Sequence, residues 1–204
     1  ASKGSLVIGL DSGVSGNGVI TNVTSDNKEI GRQITRFMVE RLGGKGNICV
    51  IDEPTYWACR ERMEGRQEVL IDYPGIKVIA TTTTQYPGTM AQALAATETW
   101  LLAHPKGTID AIWGTYDLAA VGAANAILTA GRSEIFVTGV DGDQEAIMKY
   151  LLPGKVIVAT IRQDMSAIGA ASVDAAKQYV DGTRDFTQNV FVHTVLVSKD
   201  NATE

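Results

Sequence analysis

Side chains that bind polar solutes are concentrated where short apolar runs give way to polar residues. The candidates are Asp11, Trp57, Arg60, Tyr86, Tyr116, Asp141 and Gln163. Aromatic rings can cover the C–H faces of a sugar or polyol, while carboxylate, amide and guanidinium groups can hydrogen-bond to its hydroxyls. Aromatic residues make up only 6% of the chain. Their concentration in these segments therefore favours a binding site for a small polar solute.

Two acidic pairs could instead support catalysis. Asp141 and Asp143 are spaced like a magnesium-binding pair, but we favour the interpretation that Asp141 faces a ligand and Asp143 caps the next helix. Asp52 and Glu53 could act as a general acid and base. Adjacent residues of a strand point to opposite faces, however, so we expect one of these two carboxylates to be solvated.

The sequence contains no other strong signal of catalysis. It has no Walker A, nucleophile-elbow or zinc-protease motif, and Gly16-Asn17-Gly18 lacks the third glycine of a dinucleotide fingerprint. His104 and His193 have no partner at metal or triad spacing. Cys49 and Cys59 do not form a CxxC pair, and we predict that both are free, packed thiols. We therefore predict a protein that is not an enzyme and that uses no cofactor or metal.

The bulk composition is that of an ordinary globular protein. The chain has 204 residues, of which 45% are hydrophobic and 20% charged, and its formal net charge is −5. This negative charge argues against a nucleic acid or an acidic membrane as a partner, because both attract basic surfaces. No apolar run reaches the roughly 18 residues of a membrane span.

Strand and helix patterns alternate along nearly the whole chain and position the candidate residues. We predict strands at 6–10, 48–51, 76–80, 109–113, 135–138, 156–161 and 190–197. We predict helices at 26–42, 58–72, 89–103, 117–130, 143–152 and 164–180. Unbroken apolar strands joined by helices indicate an α/β fold with a doubly wound parallel sheet. Ligands bind such sheets beyond the carboxyl ends of the strands, where the candidate residues lie.

Short motifs follow one another in a specific order. They are Val7-Ile8-Gly9-Leu10-Asp11-Ser12, Thr24-Ser25-Asp26-Asn27, Ala58-Cys59-Arg60-Glu61-Arg62-Met63-Glu64-Gly65, Gly139-Val140-Asp141-Gly142 and Ala159-Thr160-Ile161-Arg162-Gln163. In order and spacing the chain resembles the periplasmic sugar-binding proteins of ABC transporters, in the type 1 group that includes the ribose-binding proteins. The resemblance implies that two lobes close on a small carbohydrate or polyol by a hinge motion.

The resemblance also implies which side chains contact the ligand. These are Asp11, Arg60, Asp141 and Gln163, with an aromatic contact near Tyr86. The family's Asn-Asp after the fourth strand appears here as Tyr116-Asp117. Together with Trp57, this departure implies a sugar or polyol other than ribose.

The partners and the location follow from the same resemblance. It implies a membrane permease of an ABC transporter as partner, and a periplasmic protein whose signal peptide has been removed. Two alternatives remain open. One is the effector-binding core of a lactose-repressor-type transcription regulator, which shares the fold, and the other is an α/β phosphoryl-transfer enzyme using Asp141 and Asp143.

The chain is short for this family, whose members carry about 100 further residues, the size of a small domain, before the strand at Leu6. We therefore expect a complete second lobe, residues 23–163 and 189–204, and remnants of a first lobe, residues 1–22 and 164–188. The remnants are expected to lack sheet partners. Exposed strand edges favour pairing between chains, so a homo-oligomer or a domain swap is the expected consequence.

Overall fold

The computed structural model describes residues 6–11 and 13–202, in which strands and helices alternate. The strands are β1 Val7–Leu10, β2 Val19–Ser25, β3 Gly46–Asp52, β4 Ile76–Thr83, β5 Ala111–Gly114, β6 Phe136–Thr138, β7 Ile157–Gln163, β8 Asn189–Val192 and β9 Thr194–Ser198. The helices are α1 Asn27–Arg41, α2 Trp57–Ile71, α3 Thr89–Ala103, α4 Asp117–Thr129, α5 Gln144–Ala146 and α6 Met165–Val180, and α5 continues as a π-helical turn, Ile147–Leu151. Among the helices described, none is long and apolar enough to span a membrane.

The strands form two sheets, and the predicted α/β fold with parallel strands is confirmed. The small sheet has the order β1-β2-β8, and the large sheet has the order β4-β3-β5-β6-β7-β9. All pairs are parallel except β7–β9. Cys49 and Ile51 pack with α3 and α4, whereas Ile48 and Val50 pack with α1 and α2. Because these residues alternate along β3, the large sheet is covered on both faces.

Two strands differ from the sequence prediction. Residues 19–25 form β2 although the segment is half polar, because its Thr and Asn side chains are buried and hydrogen-bonded. Thr24 Oγ1, for example, donates to the carbonyl oxygen of Asp11 at 2.5 Å. The single strand predicted at 190–197 is divided at His193, since its two halves pair in different sheets.

The small sheet changes the interpretation of the first lobe. Strands β1, β2 and β8 pair with one another and α6 packs on β1 and β2, so the expectation that these segments lack sheet partners was wrong. Strand β1 still lies at an edge of the sheet. Residues 23–25 and 189–192, which the sequence assigned to the second lobe, pair in the small sheet. Residues 1–5, 12 and 203–204 of the predicted lobes lie outside the described residues.

Helices α1 and α2 cross so closely that the crossing requires two glycines. A Cβ on Gly31 would lie 2.1 Å from the carbonyl oxygen of Arg62, and a Cβ on Gly65 would lie 2.1 Å from the carbonyl oxygen of Lys28. These carbonyl oxygens belong to the helix backbone, so they cannot move aside as the end of a flexible side chain can. The crossing therefore fixes the position of the helix that carries Arg62.

Replacing Gly65 with alanine is expected to lower the free energy of unfolding by about 1–3 kcal/mol, because the methyl group forces the helices apart. Gly169 is the matched control, since it lies within α6 and a Cβ there would meet no atom within 4 Å. Gly169→Ala is expected to raise the free energy of unfolding by about 0.5–1 kcal/mol. Denaturant unfolding compares the two variants, and equal effects would contradict the close crossing.

Candidate functional site

A cavity of about 540 Å³ lies at the carboxyl ends of the strands. Its lining residues are Asp11, Tyr56, Ala58, Cys59, Arg62, Tyr86, Tyr116, Asp117, Leu118, Asp141, Asp143, Gln163 and Met165. The parallel arrangement brings them together, because the carboxyl ends of parallel strands lie at one edge of a sheet. Five sequence-predicted candidates are in the lining, namely Asp11, Tyr86, Tyr116, Asp141 and Gln163.

Arg62 is the buried cation of the cavity lining. It projects from the first half of α2, and its side chain is only 4% exposed. Its Nε donates to Asn27 Oδ1 at 2.9 Å, its Nη1 donates to the Thr115 carbonyl oxygen at 3.1 Å, and its Nη2 lies 3.2 Å from Asp141 Oδ1. These bonds hold the guanidinium group in a single orientation at the base of the cavity.

Asp141 and Gln163 complete a hydrogen-bonded chain that starts at Arg62. Gln163 Nε2 donates to Asp141 Oδ1 at 2.9 Å, so the amide and the guanidinium group share one carboxylate oxygen. Asp141 has a φ of 121°, a conformation that L-residues rarely adopt. Burial raises the pKa of Asp141, and Arg62 is the main group acting against this shift. Within the described residues, Gln163 Oε1 is buried without a donor, so the amide has an unused acceptor beside the cavity.

Asp117 holds the loop that carries Asp141. Its buried carboxylate accepts from Asp143 N at 2.7 Å and from Thr160 Oγ1 at 2.9 Å, and Thr160 Oγ1 also accepts from Gly142 N at 3.1 Å. Burial, together with the nearby Asp141, raises the pKa of Asp117 to about 8. The sequence did not single out Asp117 as a site residue.

Asp143 caps α5, as the sequence predicted. Its Oδ1 accepts from Glu145 N at 2.7 Å and from Ala146 N at 3.4 Å. In residues 6–11 and 13–202, no three His, Cys, Asp or Glu side chains are grouped so that they could hold a metal ion. The magnesium interpretation of the Asp141–Asp143 pair therefore gains no support.

Three tyrosines contribute aromatic surface to the cavity. Tyr56 and Tyr86 are exposed, and Tyr116 is half-buried at the start of α4. Burial raises the pKa of Tyr116 to about 12. Trp57, by contrast, is not in the lining, because its ring packs against the backbone at Gly13. Tyr56, which was not among the predicted contacts, lines the cavity in its place.

Arg60 lies outside the cavity. Its side chain is exposed, and its Nη1 donates to the carbonyl oxygens of Pro54 at 2.8 Å and Thr55 at 2.9 Å. Residues two apart on a helix lie on nearly opposite sides, since each residue turns the helix by about 100°. The structure therefore gives no support to Arg60 as a ligand contact and places Arg62 in the cavity lining instead.

The Asp52–Glu53 pair is not an exposed acid and base. Both carboxylates are buried, so the expectation that one of them is solvated was wrong. Asp52 forms an ion pair with the buried Arg66, and Glu53 Oε1 accepts from Thr55 N at 2.9 Å. Strand β3 ends at Asp52, and Glu53, the next residue, is fully buried.

Both cysteines are free and buried, as predicted. Burial raises the pKa of Cys49 to about 12 and also raises the pKa of Cys59. At pH 8 we expect each native thiol to react with Ellman's reagent at least about 100-fold more slowly than an exposed thiol, because so little thiolate is present and access is blocked. The same assay in guanidinium chloride should titrate two thiols at once. Rapid reaction of two thiols in the native protein would contradict this packing.

A sequence model of the periplasmic binding protein domain matches residues 1–184, which is most of the chain. The chain belongs to the periplasmic binding protein family. Members of this family bind solutes and are not enzymes.

Curated relatives of this periplasmic binding protein domain include two carbohydrate-related proteins. A xylitol-binding protein of Mycolicibacterium smegmatis is 27% identical over 201 residues, covering 98% of this chain and 56% of the relative. A ribose import binding protein of Haemophilus influenzae is 30% identical over 179 residues, covering 87% of this chain and 59% of the relative. The chain thus spans little more than half the length of these relatives.

Solved structures of similar proteins agree with the fold of this periplasmic binding protein domain. An ABC sugar transporter subunit from Rhodobacter sphaeroides has a TM-score of 0.89 and 29% identity, with 97% of this chain and 70% of that chain covered. An ABC transporter solute-binding protein from Agrobacterium vitis, solved with bound allitol, has a TM-score of 0.88 and 27% identity, with 97% and 68% covered.

Proposed function

We propose that the chain forms the larger part of a solute-binding component of an ABC transporter, and that its cavity captures a sugar or polyol. The observation that carries the proposal is the chain Arg62–Asp141–Gln163. It presents a buried guanidinium group, a carboxylate and an amide; among residues 6–11 and 13–202, no group donates to Asp141 Oδ2 or to Gln163 Oε1. A polyhydroxylated solute supplies both the donors and the acceptors that these groups require.

The ligands of similar proteins support this class of solute. The relative from Mycolicibacterium smegmatis is a xylitol-binding protein, that from Haemophilus influenzae is a ribose import binding protein, and the Agrobacterium vitis structure contains allitol. All three are small, neutral and hydroxyl-rich. Tyr56, Tyr86 and Tyr116 add aromatic surface that can cover the C–H groups of such a molecule.

We propose a periplasmic location and a membrane permease as the partner that receives the solute. Capture would involve closure about the points where the chain passes between the small and large sheets, near Ser25, Gln163 and His193. Pairing between two copies through the edge strand β1 is a further expectation, because an open strand edge can be extended by a second chain.

The geometry of the site supports neither the phosphoryl-transfer nor the regulatory function. Asp143 is occupied in capping α5, which weakens the phosphoryl-transfer interpretation of the Asp141–Asp143 pair. No feature of the cavity favours a regulatory protein over a transport protein.

A thermal-shift panel of pentoses, hexoses, polyols and cyclitols tests the proposal on the protein encoded by the complete gene. We expect at least one neutral carbohydrate or polyol to raise the melting temperature in a concentration-dependent way. The Arg62→Ala variant is the control and should lose most of that shift at the same concentration. If no member of the panel raises the melting temperature of the wild type, the proposed function is wrong.

A further inference from the structure

One wall of the cavity is apolar although a tyrosine forms it. The hydroxyl of Tyr116 lies 2.5 Å from Thr89 Oγ1. Thr89 is the first residue of α3, is fully buried, and lies behind the cavity lining. The hydroxyl is therefore directed away from the cavity, and the aromatic ring is the part of Tyr116 that a solute meets.

The surroundings of Tyr116 show the same separation of polar and apolar groups. Its hydroxyl is hydrogen-bonded to the buried Thr89, and burial is the main reason that the pKa of Tyr116 is raised to about 12. Ala58, Leu118 and Met165 add carbon surface to the cavity lining. The hydrogen-bonding groups of Arg62, Asp141 and Gln163 come from other elements, namely α2, the loop after β6 and the end of β7. Asp117, which follows Tyr116, uses its carboxylate to accept from Asp143 N and Thr160 Oγ1.

We infer that Thr89 is a positioning residue that fixes the Tyr116 ring as an apolar wall, and that the cavity selects a deoxy sugar whose methyl or methylene group meets this ring. The inference rests on the proposed function and specifies its substrate class. A hydroxyl placed against the ring would lose its water without gaining a partner, which costs a factor of about ten or more in affinity. A methyl group at the same place would bury apolar surface at no such cost.

Titration calorimetry with matched sugar pairs tests the substrate class on the protein encoded by the complete gene. The pairs are D-galactose and D-fucose, L-mannose and L-rhamnose, and D-ribose and deoxyribose, in each of which the second sugar lacks one hydroxyl of the first. We expect the deoxy member of at least one pair to bind about tenfold more tightly than its partner. If every pair shows equal or weaker binding of the deoxy sugar, the inference is overturned.

Variants of Thr89 and Tyr116 test whether Thr89 positions the aromatic ring. Thr89→Val and Tyr116→Phe each remove the same hydrogen bond, so we expect similar losses of selectivity, and no further loss in the double variant. Thr89→Ser keeps the hydroxyl and should keep the selectivity. Tyr116→Asn replaces the ring with an amide and should shift the preference towards the hydroxylated sugar. A purely structural role of Thr89 would lower the melting temperature of Thr89→Val while leaving the selectivity ratio unchanged, and that result would overturn the inference.

Failure of the inference can be told apart from failure of the proposed function. If a fully hydroxylated sugar or polyol raises the melting temperature and no deoxy sugar binds, the inference is wrong and the proposed function stands. If nothing in the carbohydrate panel or the matched pairs binds, both are wrong.

Discussion

Replacing Arg62 with alanine is expected to weaken solute binding by about 10- to 100-fold, whereas replacing Arg60 is expected to change the affinity by less than about twofold. Arg62 is buried in the cavity lining and lies 3.2 Å from Asp141. Its loss removes a charged donor from the site and leaves Asp141 with Gln163 as its partner. Arg60 is exposed and bonds to the loop at Pro54 and Thr55, outside the cavity.

The two arginine variants form a matched pair, because both positions lie on α2 and lose the same side-chain atoms. Titration calorimetry with the tightest-binding sugar measures the affinities, and the melting temperature of each free variant separates a binding defect from a folding defect. Equal weakening by the two substitutions would contradict the placement of Arg62 in the site. So would a larger loss for Arg60→Ala.

Replacing Asp52 with alanine is expected to lower the free energy of unfolding by about 3–5 kcal/mol, the largest stability effect that we expect from a single substitution. Asp52 Oδ1 and Oδ2 lie 2.5 and 3.2 Å from the Nη atoms of Arg66, and each side chain is only 7% exposed. The guanidinium carbon of Arg66 also lies 4.5 Å from the ring centroid of Trp113. Removal of Asp52 would leave this buried cation without its counter-charge.

Two controls distinguish a buried charge from a general packing defect. The double variant Asp52→Leu and Arg66→Met removes both charges, so it should recover most of the stability that Asp52→Ala loses. Glu145→Ala removes one partner of the exposed ion pair with Lys149 and should change stability little. Denaturant unfolding measures all three variants. A small effect of Asp52→Ala would show that Arg66 is accessible to water.

The large sheet could be predicted because its strands are apolar on both faces. Strands β3, β5 and β7 lie between two helical layers, so their sequences read as continuous apolar runs that are easily separated from amphipathic helices. Strand β2 was not predicted, because its sequence is not a continuous apolar run. Its buried Thr and Asn side chains are satisfied by long-range partners, and such partners cannot be recognised from local sequence.

The location of the site could be predicted better than its individual contacts. The rule that ligands bind at the carboxyl ends of parallel strands led to Asp11, Tyr86, Tyr116, Asp141 and Gln163. The choice between Arg60 and Arg62 depends on which side of α2 faces the sheet. A helical spacing of three and four residues does connect Arg62 with the buried positions 58, 59, 66 and 69, and this signal favours Arg62.

The sequence placed Asp117 after the fourth strand but gave no sign of the role of Asp117 or of Thr89. Asp117 acts through the backbone N–H of Asp143 and the hydroxyl of Thr160, 43 positions away. Thr89 acts through a hydroxyl that lies 27 positions away along the chain. Contacts of this kind depend on the final packing of helices against the sheet, which no local pattern encodes.

A structure of the protein encoded by the complete gene, in complex with its tightest-binding sugar or polyol, tests the central claim most directly. We expect a ligand in the cavity at the strand ends, with hydroxyl groups within hydrogen-bonding distance of Arg62, Asp141 and Gln163 Oε1. We also expect that Arg60 makes no contact with the ligand. A ligand bound elsewhere, or bound in the cavity without contacting Asp141 and Gln163, would contradict the account.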